Sequence, residues 1–500
     1  MTVPPIPPQV PSVRPAVAAA LTWLAAACIL VLEIAAGRLL APYVGVSLTT
    51  YTGIIGVVLG GIALGAWAGG RLADRGQPER LIGPTFALGG LAAMAAVPIV
   101  GLVGDLGLGT DPVAIVILAM AGFVAPAAIL AAVGPMIVRA SLVDVASSGT
   151  LVGRLSAIGT VGAIAGTFLT GFVLLGAVPT RLLIAGTGGL LVLVGIARLL
   201  ARPGGGLGTA LGMAGVLALG GLTATTAEPC ERESAYFCMA VVADRGNTDG
   251  RTLVLDRLRH AYIDLADPTH LEFRYVRWFA DASAEAVAGP GSPDVLHIGG
   301  GGFTFPRYLL ATAPGSRHTV LELDPEVLDV ARTQLGLDPD TLDIRLGDAR
   351  TGIATLPGAG FDLVVGDAFA GLSVPWHLTT TEMLAEIERV LRPGGRYVMN
   401  LIDGPGLRFA RAETATLRTI WDHVAVIATA STLGSGGGAG NIVLLASDRP
   451  IDAAGLRLRI AAEGDVAAEV LAADGDLDAF TAGAPVLTDD FAPVDQLLVR

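Results

Sequence analysis

Residues 295–324, VLHIGGGGFTFPRYLLATAPGSRHTVLELD, decide how this chain is read. An apolar run of strand length ends in four glycines at 299–302. A stretch of helix length follows, and a second apolar run ends in Glu322. Glycines directly after a buried strand let the backbone approach a nucleotide closely. An acid about 20 residues further on, at the next strand end, is placed to take ribose hydroxyls. Two more acids close the next two expected strands, Asp348 in RLGDAR and Asp367 in LVVGDAF. Working outward, PDVLHI, HTVLEL, LDIRL, FDLVVGDAF, GRYVMNLI, HVAVIAT and NIVLLAS read as strands. Helical stretches separate the earlier ones, and Pro-Gly-Gly at 393–395 stops the helix before GRYVMNLI. This pattern is α/β with a doubly wound sheet, whose ligand is expected at the C-terminal strand ends. Before it, the short alternating runs YFCMAVVAD, RTLVLD and HAYIDL within 236–277 read as a small antiparallel sheet.

The three acids divide the work in prospect. Glu322 is spaced for the ribose, Asp348 is placed for an adenine amino group, and Asp367 faces the reacting end of a ligand. A site of the NAD type explains the glycines and Glu322 but does not call for the two later acids, and it prefers Gly or Ala where this chain has Thr304. Three acids in this order fit an S-adenosylmethionine-type, Rossmann-like site better. Any one of them alone reads equally as a helix cap or turn residue.

Composition separates this half from the one before it. Of 500 residues, 52% are hydrophobic, and the mean hydropathy is +0.65, too apolar for an ordinary soluble enzyme. Residues 1–226 carry 10 Arg and 6 acids, while residues 227–500 carry 22 Arg and 39 acids, for a total net charge of −13. The chain has no lysine, which excludes lysine Schiff-base chemistry and a P-loop lysine. That lack and the acidity argue against a nucleic acid partner. An acidic half attracts cationic ligands, or it is an ordinary solvated surface. Cys28 lies in an apolar segment. Cys230 and Cys238 flank ERESAYF with no spacing for zinc, so no metal is expected. They are two free thiols or a disulfide, and a disulfide requires an oxidising compartment.

Residues 1–15 read as a disordered, Pro-rich N-terminus. Seven apolar segments follow at 16–40, 51–73, 81–104, 112–138, 151–178, 181–201 and 207–225, most of them longer than the ~20 residues that cross a bilayer. Small residues recur in GVVLGGIALGAWAGG and GTVGAIAGTFLTG, as close helix packing in a membrane requires. Glu33 lies five residues before Arg38 near the end of the first segment. A charge in a membrane helix marks a functional site or pairs locally to fix packing, and a local pair of Glu33 with an arginine is the expectation. Arginines cluster after segments two (Arg71, Arg75, Arg80), four (Arg139, Arg154) and six (Arg198, Arg202). The positive-inside rule then puts the N-terminus in the cytoplasm. Seven crossings put residues 227–500 outside; six leave them in the cytoplasm.

With these residues in view, the C-terminal half resembles the spermidine synthase (polyamine aminopropyltransferase) family. The matched stretches are VLHIGGGG, VLELDPEVLDVAR, IRLGDAR and FDLVVGDAF. With AGRLLAPYVG, LGGIALGAWAGGRLADR and VLTDDFAPVD, the whole chain resembles its membrane-fused branch. The resemblance implies a multi-pass cell-membrane transferase. It would move an aminopropyl group from decarboxylated S-adenosylmethionine to a small-molecule polyamine such as putrescine, within a family that is often dimeric. It implies that Gly299, Gly300 and Gly301 line the nucleotide, Glu322 holds its ribose, Asp348 holds the adenine and Asp367 is the general base. Tyr262 and Tyr275, in the small sheet, would contact substrate from a lid. The chain departs from the family's pattern at Gly302 and Ala370, where the family has acids, and at His260, where it has glutamine. His377 is a candidate second base or a structural residue. The alternatives are a methyltransferase taking intact S-adenosylmethionine on the same fold, or a non-catalytic nucleotide-binding membrane protein. The expected domains are thus 16–226 (transmembrane), 227–280 (small β-sheet lid) and 281–500 (Rossmann-like).

Overall fold

The computed structural model describes residues 12–109, 111–201, 213–216, 218–222, 229–288, 291–434 and 438–498. It divides into two compact units, Met1–Cys238 and Met239–Arg500.

Among its described residues the first unit has six helices long and apolar enough to cross a membrane: α1 Pro15–Val44, α2 Leu48–Arg75, α3 Pro78–Gly104, α4 Pro112–Ser141, α5 Ser148–Ala177 and α6 Thr180–Leu200. Their starts follow local chemistry. Proline stands in the first turn of α1, α3 and α4, where its missing N–H is no loss. Ser47 accepts from Thr50 N at the start of α2, and Asp111 accepts from Val113 N and Ala114 N at the start of α4. The small-residue faces are contact faces. A Cβ on Gly65 or Gly69 of α2 would lie 2.0 and 2.5 Å from Ala128 O and Ala132 O of α4. A Cβ on Gly162 or Gly166 of α5 would lie 2.3 and 2.4 Å from Trp23 O and Ala27 O of α1. Nothing larger than glycine lets these backbones meet. The expected seventh segment, 207–225, lies largely outside the described residues.

Among the described residues, the expected pair of Glu33 with an arginine does not form. Arg38 is buried and turns instead to the segment after the helices, donating to Ser234 O at 2.8 Å and to Tyr236 O. Its Nη2 also lies 3.9 Å from the Glu233 carboxylate. Glu233 lies on the short strand β1 (Arg232–Glu233). It also accepts from the Thr180 backbone N–H at 3.0 Å and from the Thr180 hydroxyl, at the start of α6. Cys230 and Cys238 close this segment with a disulfide.

The second unit opens with three antiparallel strands, β2 Cys238–Ala243, β3 Gly250–Leu255 and β4 Leu258–Asp264. The small sheet does not reach residue 277: Tyr275 lies on helix α7, Arg274–Val287. Val276, Phe279, Ala282 and Ser283 are buried along one face at helical spacing, and this period overrides the strand reading.

The large sheet has eight strands: β5 Asp294–Ile298, β6 Arg317–Glu322, β7 Asp343–Leu346, β8 Phe361–Gly366, β9 Leu391–Asp403, β10 His423–Thr429, β11 Gly440–Ser447 and β12 Ala468–Leu471, in the order β12-β10-β11-β9-β8-β5-β6-β7. The run from β9 to β7 is parallel. Strand β11 enters antiparallel between β9 and β10, and β12 pairs antiparallel with β10. Too short a stretch joins β10 to β11 for a helical crossover, which makes the sheet mixed. Alternate residues of β5 feed opposite cores. Leu296 and Ile298 join one with Met383 and Leu384, and Val295 joins the other with Val276, Trp278 and Phe279. The chain leaves β5 for β6 on one side and reaches β8 on the other. The carboxyl ends of β5 and β8 are therefore the switch point where a ligand crevice is expected.

Candidate active site

Residue 299 follows β5 and residue 367 follows β8, so the glycine turn and Asp367 meet at this switch point. Asp367 N donates to Ile298 O at 2.9 Å. Gly299 has φ +93°, and a Cβ there would lie 2.5 Å from Asp367 O, so glycine is required for the approach. Phe303, which ends the turn, is fully buried at φ +56°, a conformation that L side chains hold only under tertiary constraint.

Glu322, at the end of β6, is buried and ties this turn down. Its Oε2 accepts from Gly300 N at 2.7 Å and Gly301 N at 3.2 Å, and its Oε1 accepts from Asp324 N at 2.8 Å. Burial pushes its pKa up, against the pull of these three N–H groups. One strand further, Asp348 follows β7. Its Oδ1 caps the helix Ala349–Ile353, accepting from Arg350 N at 2.9 Å, and its Oδ2 lies 2.9 Å from His377 Nε2.

Asp367 holds the centre. Its Oδ1 accepts from Asn400 Nδ2 at 2.9 Å, and its Oδ2 accepts from the Tyr275 hydroxyl at 3.2 Å. Asn441 Nδ2 donates in turn to Asn400 Oδ1 at 3.1 Å, which fixes the Asn400 amide with its NH₂ toward Asp367. Burial raises the Asp367 pKa from the ordinary 3.8 to about 6, with the two hydrogen bonds opposing the rise. Tyr275 is pushed well up by burial and by the neighbouring carboxylate, so it stays a neutral donor.

The structure brings most of the expected site residues together. His260, Tyr262, Tyr275, Gly299, Gly300, Gly301 and Asp367 line one small cavity of about 40 Å³. His260, Tyr275 and Asp367 also line an adjoining cleft of about 670 Å³. Glu322 stands behind the glycine turn, and Asp348 stands one strand beyond it, against His377. Tyr262 lines the small cavity while its hydroxyl is engaged elsewhere, donating to Asp244 Oδ2 at 3.0 Å. His260 reaches the turn, and a Cβ on Gly301 would lie 3.2 Å from its Cδ2. Burial pushes the His260 pKa down to about 4, so the imidazole is neutral at pH 7.

Sequence reading missed Asn400 and Asn441. The signal for Asn400 was a lone amide near the carboxyl end of the apolar strand GRYVMNLI. The cavity also touches His297, whose Nε2 lies 3.0 Å from His318 Nδ1, while His318 Nε2 lies 2.8 Å from Ser316 Oγ. Burial pushes both histidines down, His318 to about 4, so this is a neutral hydrogen-bonded chain within the sheet.

A mixed, mainly parallel sheet with its polar site at the β5–β8 switch point defines a Rossmann-like domain of the methyltransferase and spermidine synthase type. A methyltransferase domain family model matches residues 296–399. Among curated proteins, the chain is 29% identical over 189 residues to a polyamine aminopropyltransferase of Vibrio vulnificus, covering 37% of this chain and 58% of that protein. It is 36% identical over 118 residues to an eEF1A lysine and N-terminal methyltransferase of Danio rerio, covering 22% of this chain and 17% of that protein. A solved structure from Corynebacterium glutamicum, described as a probable spermidine synthase, is 32% identical, with 52% of this chain and 95% of that chain covered and a TM-score of 0.47. Over part of its length the chain is similar to proteins of the spermidine synthase (polyamine aminopropyltransferase) family. It spans less than two thirds of these curated relatives.

Proposed function

We propose that this chain is a transferase that moves an aminopropyl group from decarboxylated S-adenosylmethionine to an amine, with Asp367 as general base. The observation that carries the reading is the Asp367 carboxylate at the switch point, held by Tyr275 and Asn400 and shared between the glycine-lined cavity and the larger cleft. An alkylamine with a pKa near 10.4 must lose a proton before it attacks, which costs about 4–5 kcal/mol at pH 7. A carboxylate beside the nitrogen attracts the cation and takes its proton. A base raised to about 6 takes it more readily than one at 3.8. The amine nitrogen then forms a bond to the methylene carbon beside sulfur, the C–S bond breaks with its electron pair going to sulfur, and the thioether leaves neutral. In this reading Gly299, Gly300 and Gly301 line the nucleotide. The lone pairs of Glu322 not taken by backbone N–H groups receive the ribose hydroxyls, and Asp348 receives the adenine amino group. Tyr275 and His260 contact substrate, and Tyr262 forms part of the wall.

One observation favours a second reading, methyl transfer from intact S-adenosylmethionine. Gly302 stands where the resembled family has an acid, and a Cβ there would lie 2.5 Å from Ala261 Cβ and 2.7 Å from Ile263 Cδ1. In this second reading β4 leaves no room at residue 302 for an acid that would hold the ammonium of the decarboxylated donor. The test uses the full chain in detergent, each donor and a mixture of amines, with the thioether identified by mass spectrometry. Methylthioadenosine, lost in Asp367→Asn, supports aminopropyl transfer. S-adenosylhomocysteine moves the chain to the methyltransferases, and neither product sinks both readings in favour of a binding protein.

We also propose that the first unit spans the cell membrane and that the residues after Cys238 lie on the side away from the cytoplasm. In an alternating bundle the arginine-rich ends of α2, α4 and α6 share the side of the N-terminus, which is the cytoplasmic one. Val44 and Thr180 mark the opposite side. Glu233 is bonded to Thr180, at the end of α6 remote from Leu200, which puts Glu233 and the disulfide-closed segment on that opposite side. The Cys230–Cys238 disulfide suits an oxidising compartment on that side. Alkaline phosphatase fused after Arg500 should be active in intact cells; an inactive fusion alongside a fluorescent green fluorescent protein fusion would overturn this placement.

A further inference from the structure

We infer that the acceptor is an amine bearing a carboxylate remote from its reacting nitrogen, and that Arg259 and Arg277 select it. This rests on the reading of Asp367 as the base. The cleft that opens from Asp367 is lined by three arginines, Arg259, Arg274 and Arg277, and by two acids, Asp367 and Glu272. A diamine site calls for the reverse balance. The nitrogen remote from the reaction stays protonated at pH 7 and needs carboxylates around it as it leaves water. Of the two acids here, Asp367 serves the reacting end, and Glu272 is exposed beside His270 at 3.4 Å. His260 adds no charge, because burial holds it neutral.

Two of the three arginines are not accounted for by ion pairing among the described residues. Arg274 pairs with Asp465 at 3.2 Å. Among the described residues, neither Arg259 nor Arg277 forms an ion pair. Arg259 lies over the Phe273 ring, with its guanidinium carbon 5.2 Å from the centroid. Arg277 uses Nη1 on Leu271 O and Glu272 O, leaving Nη2 and Nε without a described partner. A guanidinium edge of this kind suits a planar carboxylate. The cluster runs against the charge around it, since residues 227–500 carry 39 acids and 22 arginines. Arg259 precedes His260 on β4, and Arg274 and Arg277 flank Tyr275 on α7. The residues that face the reacting nitrogen and those that face the anion therefore sit on the same two elements. In the transfer, the acceptor nitrogen bonds to the donor methylene carbon, the C–S pair goes to sulfur, and the proton goes to Asp367, while the remote carboxylate keeps its charge.

The test compares 4-aminobutyrate with 1,4-diaminobutane, chains of similar length that differ in the remote group. Full-length protein in detergent is titrated with each by calorimetry, then assayed with the decarboxylated donor for methylthioadenosine. We expect 4-aminobutyrate to bind more tightly. Arg259→Gln and Arg277→Gln should each weaken it on the order of tenfold, the scale of one charge-assisted contact, while leaving 1,4-diaminobutane unchanged or tighter. Unaltered donor binding by the variants serves as the check that they fold. Tighter binding of 1,4-diaminobutane, no binding of 4-aminobutyrate, or 4-aminobutyrate binding unchanged in the double variant overturns the inference. Turnover separates the two readings. Arginine-dependent binding of 4-aminobutyrate with no methylthioadenosine released sinks the aminopropyl reading and keeps the anion site. Methylthioadenosine formed with 1,4-diaminobutane alone keeps the transferase and sinks the anionic acceptor.

Discussion

Replacing Asp367 by Asn should make the second unit more stable at neutral pH while abolishing transfer. Burial raises the Asp367 pKa from 3.8 to about 6, so the native state holds this proton more tightly than the unfolded chain does. Below about pH 4 the carboxyl is protonated in both states and the shift contributes nothing. As pH rises from about 4 to about 6, the unfolded chain ionises first and native stability falls; above about 6 the full cost of the buried charge is present. At about 1.4 kcal/mol per unit, that cost is about 3 kcal/mol as an upper limit, because the carboxylate is only partly out of water. Asn removes the charge and keeps one acceptor for the donors on Tyr275 and Asn400, so a net gain of about 1–3 kcal/mol is expected at pH 8 and none at pH 4. For a unit of this size each kcal/mol moves Tm by roughly 2–4 °C. Trp278, Trp376 and Trp421 report on unfolding of this unit by fluorescence in detergent. Transfer should fall by at least about 10²-fold, as for loss of a general base. An Asn variant that is less stable at pH 8, or whose stability difference does not change with pH, would refute the reasoning about the buried charge.

Other consequences are as direct. The wild-type kcat/KM should rise with pH through about 6 as Asp367 ionises, and a flat profile between pH 5 and 7 would remove Asp367 as the base. Gly302→Asp should lower stability by roughly 1–3 kcal/mol, because the new side chain meets Ala261 and Ile263 on β4; urea unfolding at the wild-type midpoint would contradict this. Glu322→Gln loses an anionic acceptor for three backbone N–H groups, so donor affinity measured by calorimetry should fall on the order of tenfold. Cys230→Ser with Cys238→Ser opens a short loop, with a sequence separation of 8. It should cost about 2.5 kcal/mol on the chain-entropy scale and should expose the 230–238 segment to proteolysis, where the wild-type chain resists until reduced.

The sequence by itself determined the strand–glycine–helix–strand run, the three acids that close successive strands, the six described apolar helices and their arginine-rich ends. Each of these is written in local spacing: a period of two or a continuous apolar run for strands, helix-length apolar stretches, and glycine where backbone must come close. Tertiary structure decided what local spacing does not hold. Tyr275 reaches Asp367 because α7 is a helix, a choice fixed by which face of YVRWFADAS is buried against the sheet. Asn400 and Asn441 join Asp367 because β11 inserts antiparallel beside β9, a long-range pairing with no sequence signature. Arg38 turns from Glu33 to the disulfide-closed segment almost 200 residues later, since partners of a buried charge are chosen by packing and not by distance along the chain. The raised pKa of Asp367 and the arginine-lined cleft have the same origin. Burial and the meeting of side chains from separate elements exist only once the chain is folded.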